Sequence, residues 1–235
     1  MDNNDLVSIT SDDIRPMSTK DTKCAPNKTF ENGSCITLEA FIKMANAFNE
    51  ENPSNPIKLS TTHETLHPEK YKRYLVHQFK LRFKNCGDQI CWTKQSFMKR
   101  LNEKSKEDIT KNTFRPKGPG GQFTWLNTTN IDEVMKQYES KYPDFKFLGT
   151  GPIDFDDYPE YGIQKWDYEK EYNSGKTKWG CIFNLDRHDQ SGSHWVGMFA
   201  DLNKGQCYYF DSYGIKPPQE ILKLMKRIGN FIKNK

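Results

Sequence analysis

The chain has 235 residues, of which 34% are hydrophobic, 13% aromatic and 28% charged, with a formal net charge of +4. That is length enough for one substantial domain or a compact domain with an arm, and the charge is too small to imply nucleic-acid binding by itself. No stretch approaches the roughly 18 consecutive apolar residues of a membrane helix, and the acidic, polar start MDNNDLVSITSDDIRPM lacks the regions of a signal peptide. A non-secreted, intracellular protein is expected, with Cys24, Cys35, Cys86, Cys91, Cys181 and Cys207 as reduced thiols.

Residues 1–33 lack apolar periodicity and read as a disordered or loosely docked tail. From Cys35, the segment CITLEAFIKMANAFNEEN sets Leu38, Phe41, Ile42, Ala45 and Phe48 at helical spacing. A second helix is expected from Thr93, with Phe97, Met98 and Leu101 on one face. The charged, then Pro- and Gly-rich run from about 102 to 121 separates a helical arm (34–115) from a second domain (116–235). In that domain Asn130 is expected to cap a helix with Glu133 at its third position and Ile131, Val134, Met135 and Tyr138 inward. Strands are expected at WGCIFNLD (179–186), HWVGMFADL and QCYYFDSYG, the last two joined by the turn Asn203-Lys204-Gly205. A helix after Pro217-Pro218 then carries Ile221, Met225, Ile228 and Ile232 inward.

The hairpin brings chemistry together. His194 opens one strand and Asp211 ends the next, so both fall at one end of the pair. From a turn centre at Lys204, His194 is ten residues back and Asp211 seven forward, an offset for a bulge or a longer loop to absorb. A carboxylate beside an imidazole fixes its tautomer and stabilises its protonated form, as a general base requires. By itself such a pair is weak evidence, being far more often a surface ion pair.

The surrounding letters add more. The string GSHWVGMFADLNKGQCYYFDSYG resembles the His-Trp and Asp-Ser-x-Gly strands of the SUMO and ubiquitin-like-protein protease family, in the clan of adenovirus protease. With WGCIFNLD, the Pro-Pro helix start and TWLN at Trp125, it looks most like the polyprotein-processing thiol proteases of large DNA viruses, of the African swine fever virus and mimivirus type. The resemblance covers roughly 120–232 and implies an α+β, papain-like core, a mixed or antiparallel sheet flanked by helices. It implies His194 as general base, Asp211 as its orienter, and Trp195 and Trp125 as aromatics lining a narrow channel for a Gly-Gly or Gly-x-Gly substrate end. Core packing is the alternative for both tryptophans. Thr128 departs from the acidic residue that SUMO proteases often carry after Trp-Leu-Asn. The host cytoplasm or the virion is the expected location.

The family places its nucleophilic cysteine and oxyanion glutamine in a later segment, whereas no cysteine follows Cys207 here and the sequence stops at Lys235. The expectation is therefore a C-terminally truncated or split cysteine endopeptidase acting on a protein or polyprotein, inactive as this chain alone. A non-catalytic pseudoprotease or binding module is the alternative.

Other signals are weaker. His63-Glu64-Thr65-Leu66-His67 matches H-E-x-x-H literally, but Pro68 biases His67 away from helix, so no metal or other cofactor is expected. Cys86 and Cys91 lack a second ligand pair at finger spacing. The stretch KYKRYLVHQFKLRFK interleaves basic and aromatic residues; a weak nucleic-acid contact through this arm stands beside the plainer reading of a solvated basic face. Asp154, Asp156, Asp157 and Glu160 read as a loop or a partner for basic residues. No membrane partner is expected.

Overall fold

A computed structural model describes residues 1–116, 124–158, 163 and 165–234, which divide into two compact units, Met1–Pro116 and Lys117–Lys235. Glu160 and the Pro/Gly-rich end of the expected linker lie outside the described residues.

The first unit is built from α1 (Asn3–Val7), α2 (Leu38–Glu51), α3 (Thr61–Leu66), α4 (Pro68–Arg82) and α5 (Glu103–Lys111), with two short 3-10 turns at Gln89–Lys94 and Ser96–Arg100. Thr37 caps α2 by accepting from Ala40 N–H, and Phe41, Met44, Ala45 and Phe48 form its buried stripe. Pro68 sits at the start of α4, where its missing N–H costs nothing. The helix turns Tyr71, Tyr74, Leu75, Val76 and Phe79 inward, so those aromatics of the basic stretch belong to the core. Phe79 lies 5.6 Å from both Phe41 and Trp92, ring centre to ring centre, and each such buried ring contributes roughly 1.5–3 kcal/mol. Lys72 is buried as well, donating to the Ser34 carbonyl at 3.0 Å, and burial pulls its ammonium down to about 8.

Three expectations change here. The helix expected from Thr93 is two 3-10 turns, because Gln95 takes an extended backbone (φ −73°, ψ 158°) between them. The first 33 residues pack into this unit through single anchors: Leu6 and Ile14 join the core, and fully buried Asp21 accepts from Gln89 N–H at 2.7 Å. Four of the six cysteines are not free thiols, since Cys24–Cys35 and Cys86–Cys91 are disulfides with Cα separations of 5.3 and 5.4 Å, inside the bonding range. Compartment alone favours reduced thiols, but the fold brings each of these pairs within bonding distance.

The second unit holds α6 (Thr128–Lys141), β1 (Phe145–Gly151), α7 (Tyr168–Asn173), β2 (Lys178–Asn184), β3 (Trp195–Asp201), β4 (Gln206–Phe210) and α8 (Gln219–Lys233). The strands form one mixed α+β sheet in the order β1-β2-β3-β4, the first pair parallel and the others antiparallel. The period of two along β3 decides the layers. Val196, Met198 and Ala200 face Ile221, Leu224 and Ile228 of α8, together with Trp179, Cys181 and Phe183. On the other face Ile131 of α6 packs with Phe145 and Phe147, while Phe199, Tyr208 and Phe210 stay exposed.

The cap of α6 is Asn127, three residues before the expected Asn130. Asn127 accepts from Asn130 N–H at 2.9 Å and Asn130 returns the bond, so Asn130 is the inner half of a capping box. Tyr138, expected inward, is exposed, and Gln137 is buried instead. Among the described residues no helix is long and apolar enough to cross a membrane.

Candidate active site

The loop between β2 and β3 sets up His194. Asn184, the last residue of β2, accepts from Asp186 N–H (3.0 Å) and Ser193 N–H (3.2 Å), and Leu185 N–H donates to the His194 carbonyl (2.9 Å). Gly192 crosses this bundle with φ +87°, and a side chain there would meet Asn184 Nδ2 at 2.7 Å, which only glycine avoids.

His194 Nε2 lies 2.7 Å from Asp211 Oδ1, with side chains 14% and 1% exposed. The offset between them needs neither bulge nor long loop. In the β3–β4 register Gly197 faces Phe210, and continuing it sets His194 across from Tyr213, with Asp211 as the diagonal neighbour that longer side chains reach. The His194 hydrogen bond, then the Tyr213 N–H (2.9 Å on Oδ1), outweigh burial and hold the Asp211 carboxyl below its ordinary 3.8; the His194 charge and Ile215 N–H (3.2 Å on Oδ2) add to this. An ionised carboxylate only accepts, so the imidazole proton sits on Nε2. Nδ1 is then a bare lone pair with no hydrogen-bond partner among the described residues, which is the state a general base needs.

Both expected tryptophans border one cleft of about 390 Å³, with Thr128, Thr150, Asn184 and His188 among its other walls. Trp125 is 59% exposed, and half-buried Trp195 donates from Nε1 to the Leu126 carbonyl at 3.1 Å. His194 is not part of that wall and adjoins it through Trp195.

A second histidine–carboxylate group in this unit has no sequence motif to announce it. His188 Nδ1 meets Asp154 Oδ2 at 2.8 Å, His188 N–H meets Oδ1 at 3.0 Å, and Tyr158 Oη meets His188 Nε2 at 2.9 Å. Burial pushes the Asp154 carboxyl up, but the two His188 bonds and the Arg187 charge carry it below 3.8 overall. Asp156 forms a two-pronged pair with Arg227 at 2.7 and 2.8 Å.

No thiol meets the imidazole. Cys181 is fully buried and burial raises its pKa, while burial pushes Cys207 to about 11. Cys181 faces Met198, four residues beyond His194, and Cys207 stands four residues before Asp211, separations of roughly 13 Å along a strand. The literal zinc motif is split: His63 lies in α3, His67 is the junction to α4, and the His63 ring nitrogens meet Ser60 Oγ (2.8 Å) and Asn3 Oδ1 (3.0 Å).

No protein-family model matches the chain. A protein of Acanthamoeba polyphaga mimivirus, whose name places it among thiol proteases, is 38% identical over 221 residues, 90% of this chain and 73% of that protein. A cysteine protease of African swine fever virus is 26% identical over 162 residues, 61% of this chain and 59% of that protein's length. The crystal structure of an African swine fever virus protease is similar at a TM-score of 0.49 and 24% identity, covering 74% of this chain and 68% of that one. The extent of the mimivirus match decides the identity: this chain belongs to the family of viral thiol proteases.

Proposed function

We propose that this chain provides the base half of a cysteine endopeptidase that cleaves protein or polyprotein substrates after glycine-containing motifs. The observation that carries the reading is His194, protonated on Nε2 by its bond to Asp211 and open at Nδ1. In this mechanism Nδ1 takes the proton of a cysteine thiol, and the sulfur bonds to the scissile carbonyl carbon. Asp211 stabilises the resulting imidazolium, which returns the proton to the leaving amine as the C–N bond breaks. Trp125 and Trp195 border the cleft that would receive the glycine end. Relatives in African swine fever virus carry the name SUMO-1 cysteine protease; Thr128, at the mouth of α6, argues against a ubiquitin-like partner for this chain.

The nucleophile comes from a segment other than these 235 residues, a reading supported by the state of all six cysteines, and the oxyanion glutamine of the family would accompany it. The test is to join the chain to the part of the mimivirus relative outside the matched stretch. The joined protein should hydrolyse Gly-Gly peptides and lose that activity with His194→Ala. Equal cleavage by the His194→Ala form would overturn the assignment of the base.

A further inference from the structure

Tyr213 is 73% exposed, yet its ring is not loose: it lies over His194 at 4.4 Å, centre to centre, with the planes 19° apart. Its own N–H binds Asp211 Oδ1, the oxygen that also meets His194 Nε2. The turn behind it is closed by Gly214 N–H on the Asp211 carbonyl (3.0 Å), with Gly214 at φ +71°. Backbone bonds thus carry Tyr213 to its place across from His194, without help from an apolar pocket.

A single hydrogen bond through Nε2 fixes a direction but not a plane. The imidazole could still turn about that axis or exchange the bond, and either motion would swing Nδ1 away from an incoming thiol. Stacked aromatic rings resist both, and a ring face also favours the imidazolium formed after proton uptake.

We propose that Tyr213 is a positioning residue that fixes the plane of the His194 imidazole and keeps Nδ1 facing the open side of the site. The proposal rests on the reading of His194 as the base, and a ring that turned freely would present Nδ1 only part of the time.

The test is nuclear magnetic resonance of this chain labelled with 15N-histidine, which reports the protonated ring nitrogen of His194 directly. The native chain and Tyr213→Phe should both give one tautomer, protonated on Nε2, with sharp ring signals. Tyr213→Leu and Tyr213→Ser should lose that single state, showing averaged nitrogen shifts and broadened lines, with the melting curve unchanged as befits an exposed residue. A single Nε2–H tautomer with sharp lines in both the Leu and Ser variants would overturn the proposal. Failure of the base reading looks different: the spectra would change as expected while His194→Ala left cleavage by the joined protein intact.

Discussion

The second unit contains two histidine–aspartate pairs of nearly equal length, 2.7 Å for His194–Asp211 and 2.8 Å for His188–Asp154, and they differ in what remains free. In each the carboxylate is ionised and holds a ring proton. At His188 that proton is on Nδ1, and Nε2 accepts from the Tyr158 hydroxyl, so neither nitrogen is available. At His194 the proton is on Nε2, and Nδ1 has no partner among the described residues. A histidine–carboxylate contact is therefore not a catalytic signature. The second nitrogen decides, and the same bond ties two cleft-wall loops together at one place and leaves a ring nitrogen open at the other.

The largest expected contrast follows directly. In the joined protein, His194→Ala should lower cleavage by on the order of 10³-fold or more, whereas His188→Ala should leave the rate within a few fold. His188→Ala should instead cost about 1–3 kcal/mol in a denaturant titration, because Asp154, 4% exposed, loses the ring bond on Oδ2 and keeps only the residue-188 N–H and Arg187. Cleavage lost in both variants would erase the distinction.

The carboxylates should divide the same way. Asp211→Asn removes the acceptor that keeps the proton on Nε2 and should slow cleavage by roughly 10²–10⁴-fold. Asp154→Asn should lower the melting temperature and spare the rate. A rate loss for Asp154→Asn matching that of Asp211→Asn would place the His188 group in the reaction.

The pH dependence sharpens the comparison in one shared respect. Both carboxyls titrate below 3.8 in the folded chain and return to it on unfolding. Folded values lower than unfolded ones add stability that is complete above the unfolded value and drains away as pH falls through the folded values. Carboxyl-carbon titration should give both midpoints below 3.8, with the share of stability due to these two groups lost only under acid conditions. An Asp211 carboxyl still protonated at neutral pH would remove the argument that Nε2 carries the proton. The smallest effect is expected of Tyr158→Phe, which uncaps His188 Nε2: cleavage should stay unchanged, with only a slight fall in melting temperature.

What the sequence made legible follows the same physical line. β2, β3, β4 and α8 have clean periodicity, and His194 and Asp211 stand in letters dense enough to identify. β1 escaped because its parallel register slips between Phe147 and Gly149, breaking the alternation. Tyr213 was within reach: counting the register through the turn from Leu202 to Gly205 sets it across from His194. The Asp154–His188 contact was not, since 34 residues separate the partners and no local pattern links them. The disulfides and the anchoring of the first 33 residues depend on which chain segments meet in space, and single residues such as Leu6 and Ile14 leave no period to read.

The claim that the base is present while the nucleophile comes from another segment is tested most directly by labelling the chain alone. The folded protein would be incubated near neutral pH with a glycine-ended peptide vinyl sulfone, and its cysteines mapped by mass spectrometry. The account predicts no adduct, because Cys24, Cys35, Cys86 and Cys91 are in disulfides and burial keeps Cys181 and Cys207 protonated. A stoichiometric adduct on Cys181 or Cys207 that disappears with His194→Ala would contradict it, showing that this chain already holds its own nucleophile.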